Sequence, residues 1–162
     1  MEDIIIRKLK PEDAETSWKW RNDPDLWKYT DRTHSNYITK EIEQAWLERV
    51  LSNENDIRFA ICIGKEQRYI GNIHLSINEN KVGECHIFIG DKNQWGKGIA
   101  YISTVLLIEY VRKNLHLNKI RAKIHTDNMA SRINLNKMGF KKTGETCGQY
   151  LFFELQLTET QK

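Results

Sequence analysis

The chain has 162 residues, enough for one domain that buries a real core, since domains most often run to about 100–150 residues. Hydrophobic residues make up 40% and charged residues 29%, with 2 prolines and 9 glycines, which excludes collagen-like, low-complexity and disordered classes. Mean hydropathy is −0.64 and the net charge is +3, with no long apolar run and no basic block, so neither a membrane span nor a nucleic-acid interface is expected. The N-terminal run Ile4-Ile5-Ile6 is too short for a signal peptide, which points to the cytoplasm. Cys62, Cys85 and Cys147 are scattered, and the five histidines include no His-x-x-x-His pair, so disulfides and a metal site are not expected.

In chain order, residues 4–9 read as a strand. Pro11-Glu12-Asp13 starts a helix that runs through Ala14 to Arg21, because proline suits the first helical position and early acids favour the positive helix end. Asn22-Asp23-Pro24-Asp25 is turn chemistry, and the stretch to Tyr37 is aromatic and irregular. Thr39 caps a second helix with Ile42, Ala45, Trp46 and Val50 on one face, Trp46 being a core candidate. Residues 57–63 and 69–77 form a hairpin about Gly64-Lys65-Glu66, and a further strand spans 82–89. Ile99 to Val111 is apolar on most sides and predicts a buried helix. Residues 119–126 alternate as a strand with one polar face, Asp127-Asn128 caps a helix through Met138, and Gly139 ends it. Two last strands, 140–143 and 149–157, flank Gly144 and Gly148. The expected fold is α+β, a single domain over 1–162 in the order β-α-α-β-β-β-α-β-α-β-β.

Two segments carry chemistry. In Trp95-Gly96-Lys97-Gly98-Ile99-Ala100 a glycine-bordered loop runs into the buried helix, where free N–H groups and the macrodipole favour an anion; an ordinary tight turn is the other reading. After the 119–126 strand come Asn128-x-x-Ser131 and Lys137-x-Gly139-Phe140. Together these resemble the GNAT superfamily of acetyl-CoA-dependent N-acetyltransferases. The Trp-Gly-Lys-Gly-Ile-Ala variant is similar to the branch of ribosomal-protein N-terminal acetyltransferases and amino-sugar acetyltransferases, with Trp95 at the opening position that is usually polar.

The resemblance implies a mixed, mostly antiparallel sheet flanked by helices, with acetyl-CoA as cosubstrate and no metal. It implies that backbone groups of Phe88, Ile89 and Gly90 pair with the pantetheine arm. The loop Gly96, Lys97, Gly98, Ile99 and Ala100 would hold the pyrophosphate, Asn128 and Ser131 would contact the coenzyme arm, and Lys137 its phosphates. Glu84 matches a position where relatives often carry an acid and is the first candidate base, with a strand-end surface charge as the alternative. His86 shares its face by the strand period, and His74 is a reserve base. The position where many relatives place a leaving-group tyrosine holds Leu135, so Ser131, Tyr150 or solvent is left to protonate sulfur. Trp18-Lys19-Trp20-Arg21-Asn22-Asp23-Pro24 is similar to the first-helix segment of that branch, which places Arg21, Trp27, Tyr29 and His34 at the acceptor; core packing of the aromatics, with Arg21 buried against the acids beside it, is the other reading. Cys85 and His86 are adjacent on a strand, point to opposite faces and cannot act as a nucleophile–base pair.

The expected activity is direct attack of a primary amine on the acetyl thioester. The favoured acceptor is a small molecule, an amino sugar or a nucleotide-linked amino sugar. A protein N-terminus, or coenzyme binding without catalysis, is the alternative, and the chain is expected as a monomer or homodimer.

Overall fold

A computed structural model describes residues 3–30 and 36–157. Seven strands form one sheet in the order β1-β2-β3-β4-β5-β7-β6: β1 Ile4–Lys8, β2 Asp56–Ile63, β3 Arg68–Ile77, β4 Val82–Ile89, β5 Lys119–His125, β6 Lys141–Cys147 and β7 Tyr150–Gln156. All neighbouring strands are antiparallel except β4 and β5. Four α-helices flank the sheet: α1 Ala14–Arg21, α2 Lys40–Leu51, α3 Ile99–Asn114 and α4 Met129–Lys137. The mixed, mostly antiparallel sheet and the order of its elements are those expected from the sequence.

The alternating side chains of the strands build two cores, one on each sheet face. Ile61, Ile73, Leu75 and Ile120 meet Leu107 and Val111 of α3 and Leu135 of α4. On the other face Ala60 and Cys62 meet Leu47 of α2 and Ala14 of α1. The inner side of α2 carries Glu43 and Leu47, whereas Ile42 is 50% exposed. The apolar stripe expected on Ile42 and Ala45 is therefore rotated, because Glu43 is drawn inward by Ser17 and Arg21. Strand β6 does not end at Gly144. It continues to Cys147 across an irregularity in its pairing with β7, which the positive φ of Gly144 (+85°) accommodates, and Gly148 makes the turn.

The two sheet halves part at their single parallel seam. The β4–β5 ladder consists of Val82↔Lys119, Gly83↔Ile120 and Glu84↔Arg121, after which β4 stays with β3 to Ile89 and β5 stays with β7 to His125. A wedge-shaped gap opens between Ile87–Ile89 on one side and Lys123–His125 on the other.

Truncating the fully buried Leu107 to Ala should cost about 2–5 kcal/mol and lower Tm by roughly 5–15 °C. Ile42→Ala on the outer side of α2 should stay within about 0.5 kcal/mol of the parent protein in the same thermal melts.

Candidate active site

The parity of the β3–β4 ladder decides which backbone groups face the gap. The Gly90 N–H donates to the Ile70 carbonyl at 2.8 Å, and the Asn78 N–H to the Val82 carbonyl at 3.1 Å. Even-numbered residues of β4 therefore direct their amides and carbonyls to β3, and odd-numbered residues direct theirs toward β5. Past Glu84 that leaves Ile87 and Ile89 facing the gap. Phe88 and Gly90, whose backbone the family resemblance assigns to the pantetheine arm, turn their peptide groups to β3 instead. The Ile89 carbonyl accepts a hydrogen bond from Trp95 Nε1 at 2.9 Å. Ile87 escaped the sequence reading because the direction of a residue's peptide groups is set by ladder parity, which side-chain alternation does not report.

Gly90 has a different use. A Cβ there would collide with the Trp20 ring, so the missing side chain admits Trp20 of α1 against the end of β4. The ring also meets Tyr69 and, edge-on at 6.0 Å, Phe88.

At the mouth of the gap the chain passes through Gly96 (φ +74°) and Gly98 (φ +76°) into α3. Gly98 is the helix N-cap and offers no side chain to the first N–H groups, and a Cβ at either glycine would meet nothing within 4 Å. Open space, left-handed glycines and uncapped amides at a 16-residue helix fit a diphosphate. Ile99 is buried in the core and anchors the helix start, Ala100 is half-buried, and Lys97 is exposed with Nζ 3.2 Å from Gln94. Asn128 is the N-cap of α4 and accepts from the Ser131 N–H at 3.2 Å, so it shapes that helix end; Lys137 is exposed. Leu135 is 7% exposed within the core, where a phenol would overpack its neighbours.

The opposite sheet face carries polar chemistry. Glu84 Oε1 lies 3.0 Å from His86 Nε2, and the His86 ring stacks on His74 at 4.6 Å with 15° between planes. The hydrogen bond from His86, aided by the charges of His86, Arg121 and Lys123, holds the Glu84 carboxyl below the usual carboxylate range. Glu84 and His86 line a cleft of about 740 Å³ whose walls also include Ser76, Asn80, Arg121 and Phe152. On the far side of the seam Arg121 lies 3.9 Å over the Phe152 ring and pairs with Glu145 at 2.7 Å. Beside the gap, Lys123 lies 4.3 Å over the Tyr150 ring, and His125 meets Tyr150 edge-on at 5.4 Å. Cys85 points into the core side, where burial pushes its thiol up to about 12, too high for a resting nucleophile.

The acceptor candidates divide. Trp27 packs on Phe88 at 5.4 Å and Tyr29 on His125 at 5.6 Å, which brings both to the gap. Arg21 instead lies between the Trp27 and Trp46 rings, with Nε 3.3 Å from the buried Glu43 carboxylate, behind the aromatic wall. Burial raises the Glu43 carboxyl. His34 lies outside the described residues. Lys92 bonds Asp23 at 2.7 Å and Asp25 at 3.0 Å, tying the turn before Trp27 to the approach of the glycine loop.

The sheet thus splits at one parallel seam, with uncapped helix amides behind two glycines at its mouth and a paired carboxylate beside it. Residues 3–141 match the family described as acetyltransferase (GNAT) domain, and the chain belongs to that family. It is an acyltransferase. It is 30% identical over 145 residues, 88% of this chain and 82% of the other, to the uncharacterized N-acetyltransferase p20 of Bacillus licheniformis. It is also 30% identical over 159 residues to the uncharacterized protein MJ1062 of Methanocaldococcus jannaschii, matching 95% of this chain but only 31% of that longer protein.

Among solved structures, a ribosomal-protein-S5-alanine acetyltransferase from Vibrio fischeri superposes with a TM-score of 0.85 at 21% identity, covering 100% of this chain and 97% of that one. A spermidine N-acetyltransferase from Vibrio cholerae in complex with CoA and spermine gives 0.83 at 18% identity over 95% of each chain. At these identities the likeness is one of fold. No helix among the described residues is long and apolar enough to cross a membrane.

Gly98→Asp places a branched, negatively charged side chain where φ is +76° and the cradle is open. Calorimetry should show the affinity for CoA reduced at least about tenfold, a loss of about 1.4 kcal/mol, with the far-UV spectrum unchanged.

Proposed function

We propose that the protein transfers the acetyl group of acetyl-CoA to the primary amine of a small molecule, with an amino sugar or its nucleotide conjugate as the favoured acceptor. When bound, the coenzyme supplies an acyl carbon activated as a thioester. The amides of Ile87 and Ile89 and the Ile87 carbonyl would hold the coenzyme arm along the gap, and the amides from Gly96 to Ala100 would hold its diphosphate. Asn128 and Ser131 would flank the arm. An alkylamine is protonated at neutral pH and must lose a proton to attack, and the proton-accepting centre is the Glu84 carboxylate with the imidazoles of His86 and His74. Tyr150, on the same face beside the gap, is placed to return a proton toward the sulfur.

The choice of acceptor rests on one observation: the wall beside the gap is built of rings and cations. Trp27, Tyr29, Phe88, Tyr150 and Phe152 supply flat apolar surfaces, and Lys123 and Arg121 stand over two of them. Such a surface suits a ring-shaped, neutral or phosphorylated carrier through stacking and charge. A polyamine would need carboxylates distributed along the wall. The branch of the family that acetylates amino sugars is therefore favoured over one acting on spermidine or on a protein N-terminus.

Thiol release measured with a panel of amines tests this directly. A nucleotide-linked amino sugar should exceed spermidine and an alanine-initiated peptide in kcat/KM by about tenfold or more, a difference of 1.4 kcal/mol in transition-state binding. Preference for the polyamine or the peptide would overturn the acceptor assignment.

A further inference from the structure

The last rung of the parallel seam pairs Glu84 with Arg121, so His86 is the first side chain on this face of β4 beyond the point where the strands separate. It precedes Ile87, whose peptide groups face the gap. Two contacts fix the imidazole: Glu84 Oε1 at 3.0 Å from Nε2, and the His74 ring, opposite in the β3–β4 register, stacked at 4.6 Å and 15°. A carboxylate on Nε2 selects the tautomer that carries hydrogen there, which leaves the lone pair on Nδ1. The charged groups around the ring are Glu84 on its own strand, His74 on β3 with Arg58 opposite it on β2, and Arg121 and Lys123 on β5.

We propose that His86 is the catalytic residue that takes the proton of the attacking amine, through Nδ1, and that Glu84 is a positioning residue acting through His86. This rests on the acetyl-transfer reading above. The amine nitrogen forms its bond to the acyl carbon as the carbon–sulfur bond breaks, and that bond's electron pair leaves with sulfur. The proton shed by nitrogen goes to His86 Nδ1, and the resulting imidazolium is stabilised by the Glu84 carboxylate. An ammonium acceptor first gives up its extra proton to solvent; from the neutral amine onward, passage of the proton from His86 to the thiolate, with Tyr150 as the last donor, completes amide and thiol with no net proton change. The carboxyl of Glu84 is an anion with lowered proton affinity, which suits it to orient and stabilise rather than to accept.

The test is the pH dependence of thiol release in the wild type, His86→Gln, His86→Ala and Glu84→Gln, with CoA affinity by calorimetry as a folding control. His86→Gln should lower kcat by about 10²-fold or more, while CoA binds as in the parent protein. The rising limb of its pH profile should follow only the ionisation of the amine. Added imidazole should restore His86→Ala at least about tenfold but leave Glu84→Gln unchanged. Glu84→Gln should keep a rising limb, with a smaller fall in kcat than His86→Gln. Independently of turnover, nitrogen NMR should report the Nε2–H tautomer for His86 in the wild type and a mixture in Glu84→Gln.

Wild-type kcat in His86→Gln, absence of imidazole rescue, or an Nδ1–H tautomer in the wild type would overturn the assignment and leave Glu84 as the direct base. Failure of the wild type to release thiol with every amine would overturn the acetyl-transfer reading itself.

Discussion

Everything functional in this molecule follows from the loss of strand pairing between β4 and β5 after Glu84↔Arg121. A sheet that continued in register would close its backbone groups on one another and leave no place for a ligand. Here each strand keeps its antiparallel partner and gives up the parallel one, the slightly less stable of the two kinds of pairing. The peptide groups of Ile87 and Ile89 remain directed into the opening. Trp20 against the bare backbone of Gly90, and Trp27 against Phe88, stand on the polar face where the wedge opens.

On the proposed reading the same split places the two substrates on different elements. The diphosphate cradle belongs to the loop before α3, whose first turn is anchored by buried Ile99 and whose later turns bury Leu107 and Val111. The acceptor wall belongs to the turn after α1 and to β5 and β7. Between them, β4 presents backbone groups on its edge and Glu84 and His86 on its face. With that division, the proposed coenzyme contacts are mainly main-chain groups, and side chains on the opposite side are left for the amine and its proton.

Much of this was legible from residue types alone. The glycines at 96 and 98 before an apolar helix, the cap at Asn128 and the alternation in β2 to β5 are local signals, and the structure forms those elements. Three features were not legible. The parity of the β3–β4 ladder depends on which carbonyl meets Gly90, so Phe88 and Gly90 were read as facing the gap and Ile87 was not. The contact of Glu84 with His86 requires one rotamer out of several on a strand whose period only places both residues on one face. Arg21 is placed at the acceptor by the likeness of its segment to the first helix of the family branch, yet its partner Glu43 comes from another helix, 22 positions on, as a long-range contact that no local pattern encodes.

One ammonium joins the two halves of the site. Lys92 sits just ahead of the glycine loop and reaches back to both Asp23 and Asp25, whose segment carries Trp27 to the acceptor wall. This clasp is solvent-accessible and made of charge-assisted hydrogen bonds, so dissolved salt weakens it while leaving the aromatic contacts behind it largely untouched. Ionic strength thereby acts on the tie between these two loops more than on the aromatic packing behind it.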